Sequence, residues 1–268
     1  MSSEVKTENS KSYGVLVDIP KCIGCESCSV ACKLWNELEW TAEEKTKTAI
    51  DRAKEPNKGL WPEEWTAINH YDLEKDGSPA WRFVKTQCMH CEEPVCASAC
   101  FSKAFQKLPQ GPVIYDQSLC VGCRYCMMAC PFDVLTYEWK KAIPGVKKCQ
   151  MCPTRVANNE APACASVCPT GAIIFGEREE LLAEAKKRIK ENGYVDRVFG
   201  EKEAGGTQWL YISDVPFEQM RFNTNVTTKP MPSYTAGYMK MTPIVGLSWA
   251  AILAGLYVYN NKGKDHLG

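Results

Sequence analysis

CIGCESCSVAC, residues 22–32, puts four thiols into eleven positions, and CVGCRYCMMAC, residues 120–130, nearly repeats it. CMHCEEPVCASAC at residues 88–100 supplies four more, and Cys149, Cys152, Cys164 and Cys168 complete the set. These groups absorb all sixteen cysteines of the 268-residue chain. So many thiols call for disulfides, zinc or iron–sulfur clusters. In the first group Cys22, Cys25 and Cys28 are evenly spaced on one loop, with Cys32 beyond them; Cys120, Cys123, Cys126 and Cys130 follow the same rule. Three thiols on a loop turned by Gly24 or Gly122 wrap one multi-iron cluster. The fourth lies a helical turn away, out of easy reach of that cluster, and serves a neighbour, as in bacterial ferredoxin runs.

The rivals fit less well. Structural zinc sites use two cysteine pairs separated by a longer stretch. The fourth group alone has that form, whereas the first and third crowd three thiols onto one loop. Disulfides compensate for small cores in secreted domains, and cysteines this close in sequence bridge poorly. The sequence therefore predicts four [4Fe–4S] clusters, with a zinc-structured scaffold protein as the remote alternative.

The chain also repeats itself. GVLVDIPKCIGCESCSVAC matches GPVIYDQSLCVGCRYCMMAC, and PVCASAC matches PACASVCPTGAI, so a duplicated unit runs in the order A, B, A′, B′. Each A unit opens on a short apolar run, Gly14–Asp18 or Val113–Asp116, that predicts a strand. The cysteine loop follows, then a helical turn carrying Cys28 and Cys32, or Cys126 and Cys130.

Formal net charge is zero, which supplies no global field for nucleic acid. The opening MSSEVKTENSKSYG has neither a twin arginine nor an apolar h-region; export is expected only alongside a signal-bearing partner. From Met241 to Asn261 twenty-one uncharged residues lie between Lys240 and Lys262. As a helix they span about 31 Å, close to a hydrocarbon core, with Trp249 inside and Tyr257 and Tyr259 near one end. A transmembrane helix over 241–261, opened by Pro243, is expected; a buried soluble helix is the bland alternative. Gly246, Ala250 and Ala254 recur at intervals of four, a spacing that lets a second membrane helix approach. Lys262 and Lys264 after the span, against Lys240 before it, favour a cytoplasmic C-terminus and a periplasmic cluster domain.

Residues 33–87 read as a long insertion with Trp35, Trp40, Trp61, Trp65 and Trp81, either a docking surface or a cap on the core. Glu177–Lys190 predicts an amphipathic helix that packs Leu181, Leu182, Ala185 and Ile189. His70, His90 and His266 are not expected to be ligands; His90 is expected to tune a cluster or to face solvent. Lys147 and Lys148 either favour a reduced cluster nearby or form a solvated pair. No nucleophile constellation and no Gly-rich dinucleotide fingerprint is present, so the chain reads as an electron relay without catalysis of its own.

These residues resemble the four-cluster iron–sulfur subunits of membrane-bound respiratory oxidoreductases: membrane formate dehydrogenase, membrane-bound [NiFe] uptake hydrogenase and dimethyl sulfoxide reductase. The similarity runs from Val17 to Gly176 and, more weakly, to the C-terminus; VKTQCMHCEEPVC, CPTGAIIFG and FGEKEAGGTQWLYISDVPFE carry it. FGEKEAGGTQWLYISDVPFE, REELLAEAKKRIKE and the apolar C-terminus look most like the hydrogenase subunit, and ACKLWNE looks nearer to formate dehydrogenase. Lys33 and Phe101 stand where proline follows the last cysteine in the third and fourth groups.

The resemblance implies an α+β fold of two ferredoxin-like modules, with the inserted loop region and one C-terminal transmembrane helix. It also implies crosswise ligation. Cys22, Cys25, Cys28 and Cys168 would hold one cluster; Cys149, Cys152, Cys164 and Cys32 a second; Cys88, Cys91, Cys96 and Cys130 a third; Cys120, Cys123, Cys126 and Cys100 the fourth. The expected organisation is a flexible N-terminus (1–12), the cluster domain (13–176), a helix and extended docking segment (177–240), the membrane helix (241–261) and a tail (262–268). The implied partners are a catalytic subunit, [NiFe] or molybdenum, and an integral membrane quinone-reactive subunit in the cytoplasmic membrane of a prokaryote. Flow from quinol to a terminal reductase is the alternative direction, disfavoured because reductase-type subunits usually lack the anchor.

Overall fold

The computed structural model describes residues 11–40, 59–75 and 77–261. Nearly all of the expected flexible N-terminus, the tail 262–268 with Lys262, Lys264 and His266, and the middle of the insertion lie outside those residues. The chain divides into two compact units, Met1–Pro230 and Met231–Gly268.

The first unit is built around a three-stranded sheet in the order β8-β1-β9. Strand β1 (Tyr13–Asp18) lies between β8 (Ile173–Glu177), to which it runs antiparallel, and β9 (Trp209–Ile212), to which it runs parallel. Successive side chains of a strand point to opposite faces, and both faces here are covered. Val15 and Val17 of β1, with Trp209 and Tyr211 of β9, pack into the core beside the cysteine loops. Leu16, Leu210 and Ile212 point the other way, onto Leu181, Leu182, Ala185 and Ile189. Those four residues form the buried face of α6 (Arg178–Asn192), the expected amphipathic helix. Two buried faces explain why GVLVD reads as a continuous apolar run rather than an alternation.

Short helices flank the cysteine loops: α1 (Ser27–Trp35), α2 (Val95–Ala99), α3 (Tyr125–Ala129), α4 (Pro153–Ala157) and α5 (Ala163–Ser166). Helix α1 packs against α5, and α2 against α3. Units A and B′ therefore form one module, and B and A′ the other. Cys130, which precedes Pro131, ends α3 with extended backbone, as proline favours, and Cys100 ends α2 in the same way ahead of Phe101. Helix α1 instead runs past Cys32 to Trp35. Around the second module lie two small hairpins, β4 (Phe105–Lys107) with β5 (Val113–Tyr115) and β6 (Thr136–Tyr137) with β7 (Val146–Lys147).

The inserted region is not only loop. It contains a regular hairpin of β2 (Ala67–Lys75) and β3 (Ser78–Thr86), antiparallel along its whole length. Its base contributes Ile68 and Val84 to the main core. Farther out, the Asp214 carboxylate accepts from Arg82 Nε (2.8 Å) and Lys75 Nζ (2.7 Å), tying the hairpin to the segment after β9. Of the tryptophans, Trp35, Trp61 and Trp81 are exposed, while Trp65 packs against Cys88, Val134 and Cys149.

The second unit is the helix α7 (Met231–Asn261). It begins ten residues before the uncharged span, so Pro243 lies inside it rather than opening it. Proline has no N–H to donate to the preceding turn; the neighbouring Thr242 hydroxyl donates instead to the Tyr238 carbonyl, at 3.1 Å. None of its apolar window is buried in the chain.

Asp214→Ala leaves two cations of the hairpin without their carboxylate. Charge-assisted hydrogen bonds of this kind contribute about 2 kcal/mol net. The expected result is a fall of several degrees in the temperature at which the purified protein loses its visible absorbance, with Asp214→Asn intermediate.

Candidate cluster sites

Each cysteine loop turns through residues in the left-handed region, and the turns repeat with the sequence. Gly24 (φ 68°) and Gly122 (φ 73°) occupy equivalent places, followed two residues on by Glu26 (φ 57°) and Arg124 (φ 61°). A Cβ on Gly24 would lie 2.5 Å from the Phe83 ring, and one on Gly122 would lie 2.9 Å from the Tyr137 hydroxyl. Backbone N–H groups inside the loops point at sulfur. Gly122 donates to Cys120 Sγ (3.4 Å), Met151 to Cys149 Sγ (3.3 Å) and Ala104 to Cys100 Sγ (3.3 Å). Such bonds stabilise negative charge on sulfur and tune a bound cluster.

All sixteen thiols are free of disulfides, and eight of them line two cavities, four to each. One small cavity is lined by Cys22, Cys25, Cys28 and Cys168 among Val17, Ile68 and Ile173. A second is lined by Cys88, Cys91, Cys96 and Cys130 among Val113, Val134 and Leu135. In each, three thiols come from one loop and the fourth from another group. Among the remaining eight thiols, Cys32 has Cys164 and Cys152 for neighbours, and Cys149 has Cys32, Cys164 and, from another group, Cys88. Cys126 has Cys100, Cys120 and Cys123. Among the described residues no three thiol, imidazole or carboxylate groups converge as tightly as a single metal ion requires. Zinc–sulfur bonds of about 2.3 Å would demand such convergence; a cluster with iron at several corners accepts thiols spread around a cavity.

Burial dominates the thiol acidities. It pushes Cys28, Cys32 and Cys96 up to about 12 and Cys126 up to about 11, with neighbouring thiols adding to the rise. At neutral pH these groups hold protons unless a metal displaces them. An all-thiolate donor set suits soft metal centres, iron–sulfur clusters among them. Exposure divides the quartets. Only Cys25 and Cys123 are exposed, whereas Cys32, Cys149, Cys152 and Cys164 are all buried.

His90 does not face solvent. It is fully buried, its Nδ1 accepts from the Val113 N–H at 2.8 Å, and its Nε2 has no hydrogen-bond partner among the described residues. The lysine pair splits. Lys147 donates to Gln117 near the surface, whereas Lys148 is buried, donates to the Val113 and Cys149 carbonyls, and lines the second cavity. Lys85 is equally buried and lines the first. Periodicity offers no signal for it, since β3 places it at the hairpin's buried base while the same strand's other end is exposed.

The pattern of a 4Fe-4S dicluster domain matches residues 79–178, and a second such pattern matches residues 21–104. A protein of Nitratidesulfovibrio vulgaris (strain Hildenborough) is 44% identical over 254 residues, covering 94% of this chain and 67% of the relative. Hydrogenase-2 operon protein HybA of Escherichia coli O157:H7 is 35% identical over 297 residues, 96% of this chain and 87% of the relative. This chain belongs to their family of iron–sulfur subunits. The formate dehydrogenase-O iron–sulfur subunit of Escherichia coli K12 is 32% identical over 260 residues, 93% and 83% of the two chains. The chain is thus an electron-transfer subunit with four [4Fe–4S] clusters, not itself a catalyst, with its two dicluster patterns spanning the cysteines described above.

Gly24→Ala drives a methyl group into the Phe83 ring from a backbone conformation that L-residues disfavour. It is expected to lower the iron content from about sixteen towards about twelve per chain. Atomic absorption with acid-labile sulfide analysis checks this.

Proposed function

We propose that this subunit carries electrons from a catalytic subunit, of hydrogenase or formate dehydrogenase type, to a quinone-reactive membrane subunit. Each of the four quartets holds one cluster, with the ligands crossed between sequence groups: Cys22, Cys25, Cys28 and Cys168; Cys149, Cys152, Cys164 and Cys32; Cys88, Cys91, Cys96 and Cys130; and Cys120, Cys123, Cys126 and Cys100. When bound, a [4Fe–4S] cluster takes up and gives up one electron. The protein keeps the thiols dry, supplies N–H groups to sulfur and sets the surrounding charge.

The observation that carries this reading is the distribution of exposure. Cys25 and Cys123 are the two exposed thiols, and they lie in different modules. Exposed apolar residues flank both: Ile23 and Val167 beside the first; Val121, Tyr125 and Met128 beside the second. A relay needs two such ends and a covered middle. The buried quartet of Cys32, Cys149, Cys152 and Cys164 supports a middle place for that cluster. The helix α7, with a mean hydropathy of 1.7 over its apolar window, fits a membrane anchor. The lysines after it favour a periplasmic cluster unit, and its Gly246, Ala250 and Ala254 suit a neighbouring helix.

Crossed ligation predicts which substitutions act alike. Cys168→Ala and Cys25→Ala are expected to remove the same paramagnetic centre. Cys32→Ala and Cys152→Ala remove another, although Cys25 and Cys32 are close in sequence. Electron paramagnetic resonance of the reduced variants reads this directly, and loss of one shared signal by Cys25→Ala and Cys32→Ala would overturn it.

Purification of the complex from native membranes in mild detergent tests the partners. A nickel- or molybdenum-containing subunit and a polytopic membrane protein are expected to accompany the chain. The metal identifies the kind of catalytic partner; recovery of the iron-loaded chain alone would count against the relay.

A further inference from the structure

Lys85 is 1% exposed, and among the described residues it forms no ion pair with a carboxylate. Its ammonium donates to Thr66 Oγ1 at 3.1 Å and Gln87 Oε1 at 2.8 Å, and lies 4.3 Å from the centre of the Trp209 ring. The surrounding bonds fix this arrangement. Gln87 Nε2 donates to the Tyr211 hydroxyl at 2.6 Å, which turns the amide oxygen towards Lys85. The Tyr211 hydroxyl donates in turn to the Lys85 carbonyl at 3.0 Å. Thr66, Gln87, Trp209 and Tyr211 are all buried. Every hydrogen-bond partner in this closed ring is neutral. A buried ammonium with neutral partners alone is costly, so negative charge must be supplied from nearby.

Two thiol quartets border the site. Lys85 lines the same cavity as Cys22, Cys25, Cys28 and Cys168. On its other side the Thr66 hydroxyl, which accepts from Lys85, lies near the Cys32 thiol. Burial would lower the Lys85 ammonium, but negative charge on the Cys164, Cys28 and Cys149 sulfurs outweighs it and holds the group above its ordinary value. Those three thiols belong to both quartets.

We propose that Lys85 is the shared counter-cation of the first two quartets, raising the reduction potentials of both clusters and damping the repulsion between them when both are reduced. This rests on the four-cluster reading and its crossed ligands. Reduction adds one negative charge to a cluster. A cation fixed in a dry interior favours the reduced state, because little solvent screens it. One cation between two sites acts on both, and it lowers the added cost of placing a second electron beside the first.

The test uses the complex carrying Lys85→Met, which keeps the apolar stem and removes the charge. Iron and sulfide content and the count of reducible paramagnetic centres check the four-cluster reading by themselves. Potentiometric titration followed by electron paramagnetic resonance then checks the proposal. The expected result is full iron, a downward shift in the midpoint potentials of the two centres removed by Cys25→Ala and Cys32→Ala, and unchanged potentials for the other two. Full iron with no shift, or an equal shift of all four, overturns it. If Lys85→Met loses iron, Lys85→Gln and Lys85→Arg decide. Clusters retained with a downward shift in Lys85→Gln, or restored only by Lys85→Arg, support a charge role. Loss in all three variants assigns Lys85 to packing and overturns the proposal.

Discussion

The structure depends on the reach of a cysteine side chain. Three thiols on one loop leave a fourth a helical turn away, and Cys168 and Cys130 each line a cavity with the thiols of another group. The chain must therefore bring a distant loop to each loop it already has. That requirement pairs the first group with the last and nests the second and third together, as the packing of α1 on α5 and α2 on α3 records. It also draws β1 alongside β8, so the strand before the first cysteines meets the strand after the last. Much of the long-range closure of the unit follows from that constraint.

The sheet makes the closure durable. With β1 held between β8 and β9, each strand residue packs on one of two cores: Val15 and Val17 towards the cysteine loops, Leu16 towards α6. Shifting the register by one residue would exchange these faces. The buried Asp18 carboxylate reinforces the register by accepting from Arg188 of α6 at 3.0 Å. Helix α6 is thus part of the support for the cysteine loops, although it carries no cysteine.

What was legible in the sequence was local or repetitive. The quartets, the A–B–A′–B′ order, the β1 strand and α6 could be read because spacing and apolar pattern dictate them. The inserted region reads as loop, yet the Asp-Gly dipeptide at 76–77, between β2 and β3, is a strong hairpin signal. Helix α7 starts ahead of the uncharged run, because such a run marks hydrocarbon-length apolarity, not helix length. Burial of Lys85 and Lys148 was beyond local reading. A lysine's sequence context resembles a surface position, and only tertiary packing turns it inward.

Those lysines bear on how a neutral chain carries buried, negatively charged clusters. A formal net charge of zero hides segregation inside the molecule. Lys85 and Lys148 each line a thiol cavity, and neither meets a carboxylate among the described residues. Lys107, brought down to about 8 by burial, sits beside Cys91 and Cys88 with Glu92 opposing. The carboxylates that balance this positive charge are largely elsewhere, as in the Asp18–Arg188 and Asp214–Arg82 pairs. Without metal, the interior therefore holds cations facing protonated thiols, an arrangement that favours exchanging those protons for iron. Cluster binding and folding of this interior are then linked, and the charge that tunes the relay also helps to assemble it.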